Sequence, residues 1–471
     1  MNFIFYDIIF LILFCLGVAF FLYKNWKKVE IESKIILLYK TKLGLDRIEK
    51  IKKKYSGLLS FLEIFVIILG YIMMAFSIVA FVYMIWNIFS ASTLPKIAPI
   101  IPLIPYMPEL FNLTFLPPFY FTYWIITIAI IAVGHEFSHG IFARLNGIRL
   151  KSTGFGFIGP LLAAFVEVDE EQMSQKPIKA QLSVLAAGSA ANLVLAFVFL
   201  AAMNGFFMAA YAPSGATFNM YGMERVNISA IYGMNGMPVN NFYEDYSNFR
   251  QNNVTEFNFT SKNKYYFGNA ELIDKELKAN VSYMILYSDS PAYNANLSGA
   301  IKEIDSGNLV YTIKDKNDLE NTLELLKPGE NVMIKTTEGN YSMTLGIHPE
   351  NSSRAYLGIM AVQTRQKVIG KIVSFFSGRE PFTYYEPRIK SDGNLTVFIY
   401  NLLFWIVFIN FSVMFVNMLP FGIFDGGRFF YLTALSVTGS KRKSNRAYRI
   451  MTWLMILALI LMMVVWYFKA F

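Results

Sequence analysis

His135 and His139 stand four residues apart, with Glu136 beside the first, in the stretch Gly134-His-Glu-Phe-Ser-His-Gly140. On a helix this spacing stacks both imidazoles on one face about a turn apart, so that they can share one metal ion. A glutamate next to them can take a proton from water, as an H-E-x-x-H helix does in zinc hydrolases. The chain has three histidines in 471 residues, so accidental matches to this pattern are expected on the order of 0.001 times. The competing reading is a pair of buried histidines bonded to backbone carbonyls. Two imidazoles and a carboxylate at membrane depth are costly unless they are used, which favours the metal.

Two histidines leave a tetrahedral zinc site one protein ligand short if the fourth position is kept for water. His348 falls in a separate polar region and reads as a surface residue. Asp425 is the better third ligand, in Asn417-Met-Leu-Pro420-Phe-Gly-Ile-Phe-Asp425-Gly-Gly427. Pro420 and the two glycines permit an irregular turn that points the carboxylate inward. An isolated Asp-Gly-Gly also reads as a capped turn, but the depth this one shares with the histidine pair favours the ligand. Asn192 and Asn417 are amides in or at the ends of apolar helices, expected to hold a substrate backbone or polarise its carbonyl. Polar contact between helices is their other use.

The elements that carry these residues follow from composition. The chain is 55% hydrophobic and 16% charged, a poor match to a water-soluble domain, and its apolar residues cluster in membrane-length blocks. The expected fold is a polytopic α-helical membrane protein with about six transmembrane helices, at 4–23, 58–88, 119–143, 180–208, 395–420 and 449–468. A mainly β extracytoplasmic domain is expected between helices four and five. The first block lacks a basic start and a small-residue cleavage site, so it reads as a retained span. Eleven Lys or Arg against four acids in 24–54 place that loop in the cytoplasm. A second basic loop, with Lys441, Arg442, Lys443, Arg446 and Arg449, falls on the same side by the alternation of crossings. Such topology accounts for the net charge of +9 without a nucleic-acid partner. Cys15 is the only cysteine, which excludes an internal disulfide and a cysteine-built zinc cluster.

The prolines of 92–118, among them Pro95, Pro99, Pro102, Pro105, Pro108, Pro117 and Pro118, forbid a regular helix there. The Gly-rich run Thr153 to Pro160 reads as a polar cytoplasmic-side segment that admits water and pairs an extended substrate as an added strand. Residues 210–392 are rich in Asn and Tyr, with alternating stretches such as Val332-Met-Ile-Lys-Thr-Thr. By the same count of crossings they lie outside, where the sequons at Asn227, Asn253, Asn258, Asn280, Asn296 and Asn351 are accessible.

Taken together, Gly134 to Gly140, Asn417-x-x-Pro420 with Asp425-Gly-Gly427, and Gly188-Ser-Ala-Ala-Asn192 resemble the site-2 protease family of intramembrane zinc metalloproteases. The resemblance implies Zn2+ held by His135, His139 and Asp425, Glu136 as the base, and Asn192 assisting substrate or transition state. Ser189 stands at the family's usual proline position. Ser290 to Ile304 and Asn235 to Val239 are similar to the family's PDZ-type insertions. The implied layout is 1–57, a first helix and basic loop; 58–118, a second helix and proline-rich external loop; 119–209, the first catalytic part; 210–392, a PDZ-like domain; and 393–471, the second catalytic part. The implied activity is hydrolysis of peptide bonds in or near transmembrane segments, with transmembrane proteins or peptides as substrates and membrane lipid as surroundings. A catalytically silent membrane adaptor that binds peptides through 210–392 is the alternative. A metal transporter would need the ligands but no base beside them.

Overall fold

The computed structural model describes residues 3–32, 36–91, 99–100, 104–111, 113, 116–159, 161–278, 282–349, 351–362, 379–389 and 393–470. Lys34, Pro95, Pro102, Pro160 and Asn280 of the sequence argument lie outside the described residues. The chain divides into two compact units, Met1–Phe206 with Asn394–Phe471, and Phe207–Gly393.

The first unit carries six apolar helices of membrane-crossing length: Phe3–Lys24, Ser56–Ser90, Phe121–Leu145, Ile178–Ala210, Gly393–Asn417 and Lys441–Ala470. Helices satisfy every backbone polar group internally, the condition for crossing hydrocarbon. Their outward side chains, such as Leu13, Phe20, Val79 and Trp453, are exposed and apolar, which suits lipid and not water. The chain is a multi-pass membrane protein with a β-rich region between its fourth and fifth spans.

Small residues set the packing around the third span. A Cβ on Gly70 of the second span would lie 2.9 Å from the Ala186 methyl of the fourth, so glycine and alanine bring these two backbones close. Ala186, Ala187 and Ala190 join Met73, Met74, Met414, Met418 and Phe429 in one buried cluster. Gln181, Ser183 and Asn192 are also buried on the fourth span.

Two stretches expected as loops are ordered. The basic segment after the first span forms strands β1 (Val29–Glu32) and β2 (Ile36–Thr41) and a helix, Leu45–Lys54. After the third span come β3 (Leu150–Ile158) and β4 (Leu161–Val168), and the four make an antiparallel sheet ordered β1-β2-β3-β4. Charge count hid this sheet, although Val29-Glu-Ile-Glu alternates at the period of a strand. The second basic stretch is not a loop either. Lys441 to Arg449 form the first turns of the last helix, because Lys and Arg are good helix formers. A further helix, Asp425–Thr438, precedes it and ends at left-handed Gly439, whose φ is 62°.

The first span is tied to the third through one buried carboxylate. Asp7 accepts from the backbone N–H groups of Phe121 (2.8 Å) and Thr122 (2.9 Å), and from the hydroxyls of Thr122 and Tyr106. It thus caps the third span from another element, filling the role of an N-cap side chain. Burial and the Asp7 carboxylate push the Tyr106 phenol well above its usual pKa, keeping it a donor. Asp7→Ala orphans those donors and is expected to cost about 2–4 kcal/mol locally. Amide exchange at Phe121 and Thr122 should accelerate more than tenfold, and unchanged exchange would contradict the cap.

Among its described residues the second unit holds two six-stranded sheets with separate cores, beside two small two-stranded ones. One pairs Met223–Asn227, Tyr283–Ser288, Lys264–Asn269, Glu256–Ser261, Ile231–Met234 and Met237–Pro238 in that order, around Phe257, Phe259, Ile273, Met284 and Leu286. The other pairs Asn340–Thr344, Asn331–Thr336, Ile301–Asp305, Tyr211–Ala216 and Thr383–Pro387, around Ile301, Ile304, Val332, Ile334 and Leu345. The first sheet's strands are continuous in sequence, inserted between two strands of the second sheet. Asn227, Asn253, Asn258, Asn296 and Asn351 are all exposed.

Candidate metal centre

The third span presents His135 and His139 on one face, and each ring is oriented through its Nδ1. His139 Nδ1 lies 2.7 Å from the Val184 carbonyl oxygen on the fourth span. A carbonyl only accepts, so this nitrogen carries the proton and Nε2 keeps its lone pair. His135 Nδ1 lies 2.9 Å from Nδ2 of Asn192, a fully buried side chain whose Oδ1 has no hydrogen-bond partner in this amide orientation. A histidine that binds a cation through Nε2 needs an acceptor at Nδ1, and Asn192 supplies one when Oδ1 faces the ring.

Asp425 opens the helix Asp425–Thr438, and the glycines after it have a packing cause. A Cβ on Gly426 would fall 2.5 Å from the Leu419 carbonyl oxygen, and one on Gly427 would fall 2.3 Å from that of Phe421. Only glycine lets the turn at the end of the fifth span lie against this helix, which aims the carboxylate at the histidines. Asp425 Oδ2 is 3.5 Å from His135 Nε2 and 3.3 Å from His139 Nε2, and the two Nε2 atoms are 3.1 Å apart.

These separations test the fit of an ion. Ligand atoms at about 2.0–2.1 Å from a tetrahedral zinc lie roughly 3.3 Å from one another. The three donors match that edge, are of the nitrogen and oxygen types zinc takes, and lie largely buried. The fourth span makes room for them: a Cβ on Gly188 would sit 2.3 Å from His139 Nε2 and 2.7 Å from His135 Nε2. His135, His139 and Asp425 can therefore hold Zn2+.

Glu136, next to His135, reaches the sheet. Its Oε2 accepts from the backbone N–H of Val166 on β4, at 3.0 Å. Asn417, the last residue of the fifth span, places its amide nitrogen 3.4 Å from His135 Nε2. Asn192 and Asn417 thus both come to the histidines, Asn192 on the far side of the ring and Asn417 on the side of the ligand atoms. His348 lies in the other unit, with its ring edge-on to Tyr356. Ser189 is buried in a fourth span that runs unbroken through it.

The Gly-rich run is corrected in one respect. Residues 150–158 form β3, whose two sides are taken by β2 and β4, so β3 has no free edge for an added strand. The outer strand on the side of the metal centre is β4. Sequence reasoning also missed the Val184 carbonyl and the Val166 amide, which are backbone groups and carry no side-chain signal.

Two histidines, a carboxylate and an adjacent glutamate, gathered inside a bundle of apolar helices, define a zinc-dependent hydrolase of the membrane interior. The sequence model of peptidase family M50 matches residues 123–463, from within the third span to within the sixth. The chain belongs to peptidase family M50. No curated protein matches it.

Proposed function

We propose that this protein is an intramembrane zinc metalloendopeptidase that cuts transmembrane or membrane-proximal segments, with its centre towards the cytoplasm and residues 210–392 outside. The observation that carries this reading is the convergence of the His135, His139 and Asp425 ligand atoms within 3.5 Å of one another, with Glu136 on the same helix. A silent adaptor would have no need of that convergence.

A zinc ion held by the three ligands supplies the Lewis acid for amide hydrolysis. The chain's own groups do the rest. Glu136, steadied at Oε2 by the Val166 N–H, takes a proton from the attacking water at Oε1 and returns it to the departing amine as the C–N bond breaks. Asn192 holds His135 in the tautomer that leaves Nε2 free. Asn417 is placed to bond the substrate backbone beside the ligands. A substrate helix hides its carbonyls in its own hydrogen bonds, so it unwinds before cleavage and lies extended along the outer side of β4.

The basic residues of 24–54 and 441–449 support the orientation, because positive charge gathers on the cytoplasmic side. In the outer region the two cores support a pair of PDZ-like modules, which bind exposed strands or chain ends and admit substrates that have already lost their outer domains.

The test is cleavage of a single-span substrate by the purified chain. Asp425→Ala should carry less than a tenth of the parent's zinc and lose cleavage. A variant that keeps both contradicts the reading. Asn192→Leu should weaken zinc about 10–100-fold in a chelator competition. Asn192→Asp, which retains an acceptor for His135, should keep most of that affinity, and equal loss in the two variants would remove the tautomer role.

A further inference from the structure

The glycines of β3 do something that the metal centre does not require. Gly154 and Gly156 lie on one face of the four-stranded sheet, between Lys40 and Leu38 of β2 and their neighbours Phe165 and Ala163 of β4. A Cβ on Gly154 would fall 2.7 Å from the Phe165 ring and 2.3 Å from the Tyr39 carbonyl oxygen. The Phe165 ring fills the space over Gly154, and beside it, over Gly156, a groove of about 690 Å³ lies across this face.

The groove has apolar walls, including Leu38, Leu162 and Phe165, and an acidic rim. Glu30 and Glu32 stand on β1 and Glu167 on β4, with Lys40 the one base among the described lining residues. Lys40 is already held by Glu30 at 2.8 Å and Glu167 at 3.3 Å. Three carboxylates and one ammonium leave the described lining at −2, and all but Glu167 of these groups belong to residues 24–54, which have eleven bases to four acids in a chain of net +9. A negative rim in so basic a segment points to a positive occupant. The groove is also tied to the reacting end, because Val166, between Phe165 and Glu167, donates to Glu136.

We propose that this groove binds the basic flank of the substrate, with Lys or Arg side chains reaching Glu30 and Glu32. This rests on the peptidase reading and on a cytoplasmic centre. Transmembrane segments carry Lys and Arg on their cytoplasmic flank, so the substrate class already offers the matching charge. The rim is compact, because the Glu30 carboxylate of β1 and the Glu167 carboxylate of β4 both reach Lys40 Nζ across the sheet face. The groove therefore selects substrates whose bases closely follow the scissile segment.

The probe is a fluorescent peptide with an apolar stretch followed by three Lys or Arg, titrated onto the full chain carrying Glu136→Gln. A twin peptide has Glu in place of the bases. The basic peptide should bind about tenfold tighter, and Glu30→Lys with Glu32→Lys should invert the order. In the chain without that charge reversal, raising salt from 50 to 500 mM should shrink the preference several-fold. Equal affinities, an order unmoved by charge reversal, or a preference insensitive to salt would each overturn the proposal. Failure of the peptidase reading shows separately, as absence of substrate cleavage by the parent while the peptide preference stands.

Discussion

Glu136→Gln should abolish cleavage, by at least about 10³-fold, while zinc stays bound at the parent's stoichiometry. The carboxylate does not belong to the ligand set, whose three donors are His135 Nε2, His139 Nε2 and Asp425 Oδ2. Glutamine keeps the size and can still accept from the Val166 N–H, so the local packing survives and only the proton acceptor is lost. The measurement pairs zinc content with the cleavage rate on a single-span substrate. Loss of zinc with the rate would mean that Glu136 is structural, and a retained rate would mean that another group moves the proton.

A comparable loss is expected from a single methyl group. In Gly188→Ala the new carbon would overlap both ligand nitrogens, and the fourth span cannot back away, because Ala186 already lies against Gly70 of the second span. Overpacking a buried site costs about 1–3 kcal/mol, and here the strain falls on the rings that must converge. Zinc content should fall below a tenth of the parent's and cleavage should become undetectable. Gly205→Ala is the control. It lies on the same helix with nothing within 4 Å of its Cβ, and should leave both quantities unchanged. Full zinc in Gly188→Ala would show that the histidines do not pack against the fourth span as described.

Much of this centre was legible before any fold was known, for a physical reason. His135, Glu136 and His139 are adjacent in sequence, and a helix converts that adjacency into a shared face without help from the rest of the chain. Asp425 was legible because depth in the membrane can be counted along apolar blocks. What stayed hidden depends on contacts between distant segments. Asp7 is one acid in an apolar helix until Phe121 and Thr122 present their amides to it. Gly188 reads as one more small residue in an Ala-rich span until the histidines arrive. The β1–β2 hairpin was obscured by its lysines, and its partner strands lie more than a hundred residues later. The Gly-rich run was assigned an added strand that β3 cannot take, because both its edges are paired and the outer strand beside it is β4.

The most direct test of the account is metal dependence in the purified, detergent-solubilised chain. The cleavage rate on a single-span substrate is measured before chelation, after zinc has been stripped, and after one equivalent of Zn2+ is returned. The account predicts a rate near zero after stripping and near-complete recovery on return, with no recovery in a chain carrying Asp425→Ala. A rate that survives stripping, with zinc shown to be absent, would contradict it.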